Sequence, residues 1–320
     1  MSDYIVMLKH IAVYIALTLP GFVLVKTHIV KTERTGVLSK LLLYVAVPCL
    51  IGSSIVKYVP FDPEHIPLIV SAALVGLIFS LIVYFISKPL TRFESGIKEG
   101  MLRFCMCFGS LLSIPLTVAI YGESTVTMVV TVVCSVKSMM LFPLGIALIR
   151  DDRKEINVEH FFHNPVFIGI VMGVILNLVH IQNFFPELVI YPTVLGGLVT
   201  PISMLVLGMK LAEIDVGHLL KQPRVYYVSL MRIVVFPALL SAILIGLSFI
   251  PALNGLITKE LIIGTFIVFS APTAGFSSTF AARFNGDVKS SNDYPLTTAY
   301  FSLITLPILY AVLTTILNLI

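Results

Sequence analysis

One basic residue lies in the middle of a long apolar run. Lys137 occurs within residues 132–138, and no acidic residue occurs between residues 124 and 150. A buried ammonium group without a carboxylate partner is costly. Such a group either helps to hold an anionic substrate, or binds water or the freed backbone carbonyls of a neighbouring helix. The sequence leaves both interpretations of Lys137 open.

Two short segments combine proline with small and hydroxyl-bearing residues. Their sequences are GSLLSIP at residues 109–115 and APTAG at residues 271–275. Proline removes a backbone donor and glycine permits non-helical backbone, so each segment predicts an interrupted helix. A helix that begins after an interruption presents free N–H groups and partial positive charge, which favour an anion. The candidate substrate-binding residues are Ser110, Ser113, Pro115, Lys137, Pro272, Thr273, Ala274 and Gly275, and the predicted helix-breaking residues are Pro48, Gly109, Pro201 and Ala271.

Other residues that could carry chemistry give weaker signals. The four cysteines have no CxxC spacing and lie in apolar runs, so they predict neither a disulfide framework nor a zinc site. His160 and His163 could share a helix face, but no third ligand is nearby, and we expect no metal and no cofactor. No mid-span catalytic set and no phosphate-binding Walker sequence is present, so an enzyme or a direct user of ATP is not supported.

The composition excludes most soluble classes of protein. The chain has 320 residues, of which 58% are apolar and 12% are charged, and its mean hydropathy is +1.01. Soluble proteins contain about 25% charged residues, and one aqueous core cannot bury so many apolar side chains. A soluble enzyme, a nucleic-acid-binding protein and a disordered protein are therefore excluded. The composition is typical of a protein that crosses a lipid bilayer many times.

Ten apolar segments are long enough to cross a membrane. About 20 apolar residues in a helix span a hydrocarbon core of about 30 Å. The first segment is too long for a signal peptide and leads into a basic loop, so we count it as a span. The predicted spans are residues 5–25, 38–56, 66–87, 102–121, 125–149, 165–181, 187–209, 225–249, 258–282 and 294–318.

The basic residues predict the orientation of these spans. Sixteen of the 21 lysines and arginines lie in the loops after spans one, three, five, seven and nine, including Lys210 after span seven. Because basic loops stay in the cytoplasm, both termini are predicted to be extracytoplasmic. Arg232 falls near the cytoplasmic end of span eight, where we expect it to extend towards the membrane surface.

Prolines at corresponding positions indicate an internal repeat. Pro48 and Pro115 lie in spans two and four, and Pro201 and Pro272 lie in spans seven and nine. Because five spans is an odd number, the second half enters the membrane in the opposite orientation, as in many secondary transporters. We predict an all-α membrane protein in which the helices of spans four and nine are broken and meet near the membrane centre. Its units are a first five-helix repeat, a cytoplasmic loop and an inverted second repeat, at residues 1–149, 150–164 and 165–320.

The segment around the second proline cluster carries a family resemblance. Residues 271–284 read APTAGFSSTFAARF, and the pattern continues to LITLP at residues 303–307. This pattern resembles the auxin efflux carrier family in its shorter bacterial form. Supporting matches cover essentially the whole chain, at residues 38–41, 47–50, 114–116, 121–123, 164–165, 201 and 207–211.

The resemblance implies an architecture and an activity. Members of the family have ten spans, crossing spans four and nine, and a fold shared with bile-acid symporters and sodium/proton antiporters. They export or exchange organic anions, including auxin in plants and malonate-type dicarboxylates in bacteria. The resemblance further implies that spans 3–5 and 8–10 move like an elevator against a scaffold of spans 1, 2, 6 and 7. In the plant carriers the scaffold also forms the dimer, so a homodimer is implied here.

This chain departs from the family pattern at the first proline cluster. Family members usually carry an asparagine at the interruption of span four. Here Phe108-Gly109-Ser110 precedes Pro115, and an alignment from Pro115 without a gap places the asparagine position on Phe108. The amide is missing in either alignment, so Ser110, Ser113 and Lys137 are the candidates to supply donors and charge.

These observations predict a secondary transporter of a small organic anion, either a carboxylate or a dicarboxylate. We expect it in the plasma membrane, which for this form of the family is the bacterial inner membrane, with the lipid bilayer and the anion as its partners. One alternative is a cation/proton antiporter or a sodium-coupled symporter on the same fold. An antiporter needs mid-span carboxylates, which the sequence lacks. The other alternative is a membrane sensor that binds an anion without moving it.

Overall fold

The computed structural model shows an all-α protein. It describes residues 3–30, 35–150, 164–215, 217, 219, 221–253, 255–275, 277–288 and 290–319. The helices, labelled α1 to α18 in chain order, are Asp3–Ala16, Thr18–Lys26, Thr35–Leu41, Val47–Tyr58, Ile66–Leu90, Gly96–Cys107, Ser113–Tyr121, Thr125–Met139, Leu141–Ile149, Pro165–Leu178, Ile181–Phe184, Glu187–Gly197, Val199–Leu211, Pro223–Leu230, Phe236–Ser248, Lys259–Ser270, Ser277–Arg283 and Ser290–Leu319. Two π turns, Leu42–Ala46 and Met231–Val235, directly precede α4 and α15.

Several helices are suited to a lipid environment. Among the described residues, six helical stretches are long and apolar enough to cross a membrane, and they coincide with predicted spans one, two, three, seven, eight and ten. A seventh candidate is the pair α8 and α9, which is bent by 43°. Predicted span six corresponds to the shorter apolar helix α10. The described part of the chain therefore has six or seven membrane-capable helices.

Predicted spans four and nine have a different structure, because each is divided into two helices. α6 ends at Cys107 and α7 begins at Ser113. α16 ends at Ser270 and α17 begins at Ser277. We call residues 108–112 the first interruption and residues 271–276 the second interruption, of which residues 271–275 are described.

Two prolines that were predicted to break helices lie within continuous helical stretches. Pro48 is in the first turn of α4, and Pro201 is the third residue of α13. The π turn before α4 relieves the clash between a proline ring and the carbonyl four residues earlier, so the chain stays helical. A second π turn stands in the same position before Pro237. The prediction of helix breaks at Pro48 and Pro201 was therefore wrong.

Two asparagines satisfy carbonyls that the helices leave free. Asn177 Nδ2 of α10 donates to the carbonyls of Ile55 and Val59, both at 2.8 Å, at the end of α4. Asn164 caps α10 and donates from Nδ2 to the carbonyl of Met139 at 3.1 Å. Met139 lies four residues before Pro143, which has no N–H to offer that carbonyl.

Small residues allow α4 and α10 to pack closely. A Cβ atom built on Gly169 of α10 would lie 2.6 Å from the carbonyl oxygen of Pro48, and one built on Gly173 would lie 2.7 Å from that of Gly52. Both contacts are with backbone, which cannot rotate away. Gly169 and Gly173, which form a GxxxG pattern, therefore pack directly against the backbone of α4.

This packing predicts a large difference between two alanine substitutions. Gly169→Ala forces α10 away from α4 and is expected to destabilise the protein by about 1–3 kcal/mol, the usual cost of overpacking. Gly197→Ala is the control, because a Cβ there meets no atom within 4 Å. Thermal unfolding in detergent measures both variants. Equal melting temperatures for the two variants would contradict the packing described here.

Candidate functional site

The two interruptions contact each other directly. Gly109 and Thr273 form an isolated antiparallel bridge, and the backbone N–H of Ser110 donates to the carbonyl of Pro272 at 2.7 Å. The Thr273 hydroxyl donates to the carbonyl of Cys105 at 3.0 Å, in the last turn of α6. Each interrupted segment therefore supplies hydrogen-bond partners that the other has lost.

Lys137 donates a hydrogen bond to one of the backbone carbonyls that the second interruption leaves without a helical partner. In an uninterrupted helix the carbonyl of Val268 would accept from residue 272, but proline has no N–H. The Lys137 ammonium donates to that carbonyl at 3.2 Å and lies 4.2 Å from the centre of the Phe269 ring. Its residue is 4% exposed. The structure thus shows the contact with a freed carbonyl, and an additional role towards an anion stays a prediction.

Arg232 was predicted to extend towards the membrane surface, and this prediction was wrong. The residue is 1% exposed and lies in the π turn between α14 and α15. Its Nε donates to the carbonyl of Ala271 at 3.1 Å, and its Nη1 donates to the carbonyl of Met106 at 2.6 Å. Arg232 points inward because these two carbonyls, at the ends of α6 and α16, lack helical partners. One guanidinium therefore joins both interrupted segments.

Lys210 was predicted to lie in a cytoplasmic loop, and this prediction was also wrong. α13 continues to Leu211, so Lys210 lies within the helix, and the residue is 6% exposed. Its ammonium donates to the carbonyl of Gly275 at 3.3 Å and to the hydroxyl of Ser278. Lys210 therefore connects α13 to the second interruption and to α17.

Sequence reasoning missed Arg232 and Lys210 as site residues, although for Arg232 one signal was present. Arg232 is the tenth residue of a helical stretch that begins at Pro223, which corresponds to a depth of about 14 Å at 1.5 Å per residue. A side chain this far from the start of the helix cannot easily extend to the membrane surface. The distance of a basic residue from the nearer helix end could therefore have indicated that Arg232 is buried.

A small cavity lies beside the point where the two interruptions meet, which we call the crossing. Its volume is about 30 Å³, which is room for about two water molecules. Of the predicted site residues, Ser113, Ala271 and Pro272 line it, and the Ser113 hydroxyl is 3.4 Å from Cys134 Sγ. The remaining lining residues are Ile11, Tyr14, Ile15, Leu112, Leu116, Met204, Ile267, Ala299, Ser302 and Leu306.

The other predicted site residues lie in or next to the interruptions. The Ser110 hydroxyl accepts from the N–H of Leu112 at 3.3 Å, and Pro115 is half-buried in the first turn of α7. The backbone N–H of Thr273 donates to the hydroxyl of Thr298 at 3.1 Å. Ala274 is buried, and Gly275 offers its carbonyl to Lys210. All eight predicted substrate-binding residues therefore lie at or near the crossing.

Three cations with little exposure meet at the crossing, and each contacts backbone carbonyls. They are Lys137, Arg232 and Lys210. The hydrogen-bond partners of the two interruptions described above are these cations, hydroxyl groups and backbone groups. Among the residues that the structure describes, one acidic side chain is also buried, that of Asp293, in the first turn of α18 at 7% exposure. The arrangement concentrates positive charge at the two interruptions.

A larger cavity of about 470 Å³ lies at the end of the molecule where α4 ends and α5 begins. Its lining includes Asp62, His65, Glu123 and His180. His65 Nδ1 is 2.7 Å from Asp62 Oδ1, and hydrogen bonds from His65 lower the pKa of Asp62. Among the described residues, no group of three metal-ligating side chains is present. His160 and His163 lie outside the described residues.

The six or seven membrane-capable helices among the described residues, together with the two paired helix interruptions, are typical of an integral membrane protein. Comparison with known families is consistent with this class, since the model of the membrane transport protein family matches residues 5–310. The chain therefore belongs to this family, which is that of the auxin efflux carriers, and the resemblance predicted from the sequence is confirmed. No curated protein matches the chain.

Proposed function

We propose that the protein is a secondary transporter that moves a small organic anion, a carboxylate or dicarboxylate, across the bacterial inner membrane. The observation that carries the proposal is the cluster of Lys137, Arg232 and Lys210 around two helix interruptions. Buried cations in a membrane protein mark ion or substrate pathways. An anion at this point would offset positive charge that backbone carbonyls alone offset only in part.

The proposed architecture has ten spans arranged as two inverted repeats of five. Eight predicted spans correspond to helical stretches or to a bent helix pair, and the remaining two correspond to α6 with α7 and α16 with α17. Both termini are proposed to be extracytoplasmic. The opposed pairing of Gly109 with Thr273 supports a crossing of spans four and nine.

The proposed movement is an elevator-like shift of spans 3–5 and 8–10 against spans 1, 2, 6 and 7. Close backbone packing within the second group supports a rigid scaffold: a Cβ atom on Gly208 would lie 1.8 Å from the carbonyl of Thr18, across α2 and α13. The small central cavity lies between the two groups, since its lining comes from both. Lys210 bonds across the same boundary, to Gly275 and Ser278.

Energy for transport would come from the membrane potential or a coupled ion. An inside-negative potential favours outward movement of an anion by about 2.3 kcal/mol per charge at 100 mV. Lys137 and Arg232 would attract the anion, and the hydroxyls of Ser110, Ser113 and Thr273 would orient it. A homodimer through the scaffold is part of the proposal.

Flux in proteoliposomes tests the proposed function. We expect saturable uptake of a radiolabelled carboxylate, from a panel that includes benzoate and malonate, with no uptake of the matching amides. An imposed membrane potential that makes the compartment containing the carboxylate negative should accelerate the flux. A pH-dependent sodium flux without carboxylate flux would instead support a cation antiporter. Saturable binding without any counterflow would support a sensor.

A further inference from the structure

The guanidinium of Arg232 is only partly used by the protein. Its Nε and Nη1 donate to the carbonyls of Ala271 and Met106. Its Nη2 is fully buried and has no hydrogen-bond partner among the described residues. A guanidinium has five N–H donors, and buried donors to a charged group are expensive to leave unpaired. The side chain therefore has unused donors at the point where the two interruptions meet.

Nη2 of Arg232 fits against Gly109 because glycine has no side chain. A Cβ atom built on Gly109 would lie 1.8 Å from Nη2 and 3.0 Å from the central guanidinium carbon. Any side chain at residue 109 would therefore displace this part of Arg232. Nη2 therefore lies against Gly109 of the first interruption, and the next residue along the chain, Ser110, is partly exposed. The region thus combines a buried cation, an unpaired donor and adjacent backbone that is not sealed from solvent.

We propose that Nη2 of Arg232 binds a carboxylate group of the transported anion directly. This inference deepens the proposed transport function and depends on it. A carboxylate accepts two parallel hydrogen bonds from a guanidinium, so the second N–H of Nη1 and one N–H of Nη2 match a planar carboxylate. Lysine cannot supply this paired geometry. Arg232 would therefore select carboxylates, while Nε and the first N–H of Nη1 continue to hold the interruptions together.

Two substitutions test carboxylate binding by Arg232, and the melting temperature without ligand reports any loss of its structural contacts. Arg232→Lys keeps the positive charge but removes the paired donors. Gly109→Ala keeps Arg232 and displaces Nη2 through the added methyl group. Gly246→Ala is the control, because it lies in α15 of the same predicted span and a Cβ there meets no atom within 4 Å.

Thermal stabilisation by benzoate and malonate, compared with benzamide and malonamide, measures the binding. We expect both acids, and neither amide, to raise the melting temperature of the wild-type protein and of Gly246→Ala. In Arg232→Lys and Gly109→Ala we expect the apparent affinity for the acids to fall at least tenfold and KM for flux to rise in parallel. Wild-type affinity for the acids in both variants would overturn the inference. An absence of acid-dependent stabilisation and flux in the wild-type protein would overturn the transport function with it.

A measurement on the wild-type protein keeps the inference testable if the variants do not fold. Crystals grown with 4-iodobenzoate would show the iodine by its anomalous signal. We expect the carboxylate at hydrogen-bond distance, about 3 Å, from Arg232 Nη2. An iodine peak that places the carboxylate away from Arg232, or no peak at the crossing, would overturn the assignment.

Discussion

Replacing Lys137 with methionine is expected to reduce kcat/KM for carboxylate flux by at least tenfold. A unit charge about 8 Å from a carboxylate contributes about 2 kcal/mol at an effective dielectric constant of about 20, which corresponds to about 30-fold in affinity. Methionine fills a similar volume but removes both the charge and the hydrogen bond to the Val268 carbonyl. The flux assay in proteoliposomes measures the effect, with the melting temperature as a measure of folding.

A glutamine substitution separates the two roles of Lys137. Lys137→Gln keeps a donor for the Val268 carbonyl but carries no charge. If the charge attracts the anion, the glutamine variant should recover stability relative to methionine and still lose flux. Lys57→Met is the control, since Lys57 is exposed in the last turn of α4. Wild-type kcat/KM in the glutamine variant would show that Lys137 has a structural role only.

Replacing Pro272 with alanine is expected to abolish transport without unfolding the protein. Alanine restores an N–H that can bond to the Val268 carbonyl, so α16 can continue beyond Ser270. The ammonium of Lys137 would then lose its acceptor, and the bond from Ser110 to the carbonyl of residue 272 would be disturbed. We expect flux to fall more than tenfold, and the melting temperature checks that the variant is still folded.

Pro192→Ala is the matched control for Pro272→Ala. Pro192 lies inside α12, which continues through it, so the restored N–H only adds to an existing helix. Flux of this variant should remain within about twofold of the wild type. Hydrogen exchange of residues 268–274 reports directly on the extended helix. Unchanged exchange together with wild-type flux in Pro272→Ala would show that proline does not maintain the interruption.

The helical class could be predicted from the sequence, because the length of an apolar segment depends only on neighbouring residues. The helical stretches at residues 5–26, 66–90 and 223–248 lie within a few residues of the predicted spans. The ends were less accurate: α6 begins at Gly96, whereas the predicted span began at residue 102. Lys98, Glu99 and Arg103 lie in or next to this first part of α6, and their charge concealed it from a criterion based on hydropathy.

The partners of the buried cations could not be predicted in the same way. The carbonyls that Arg232 contacts belong to residues 106 and 271, which are distant in the sequence and reach it only through the fold. Charge alone does not show whether a basic side chain turns towards the interface or towards free carbonyls. Proline was the more informative signal, since Pro143 and Pro272 each leave a carbonyl that a side chain from another helix satisfies.

The bridge between Gly109 and Thr273 has a consequence for the evolution of the chain. The two interrupted segments bond to each other, so neither has its geometry fixed by its own half of the sequence. We therefore expect an insertion or substitution in one of these segments to be tolerated only with a compensating change in the other. A chimaera that combines the first half of this chain with the second half of a distant homologue should therefore assemble poorly unless both crossing segments come from the same parent.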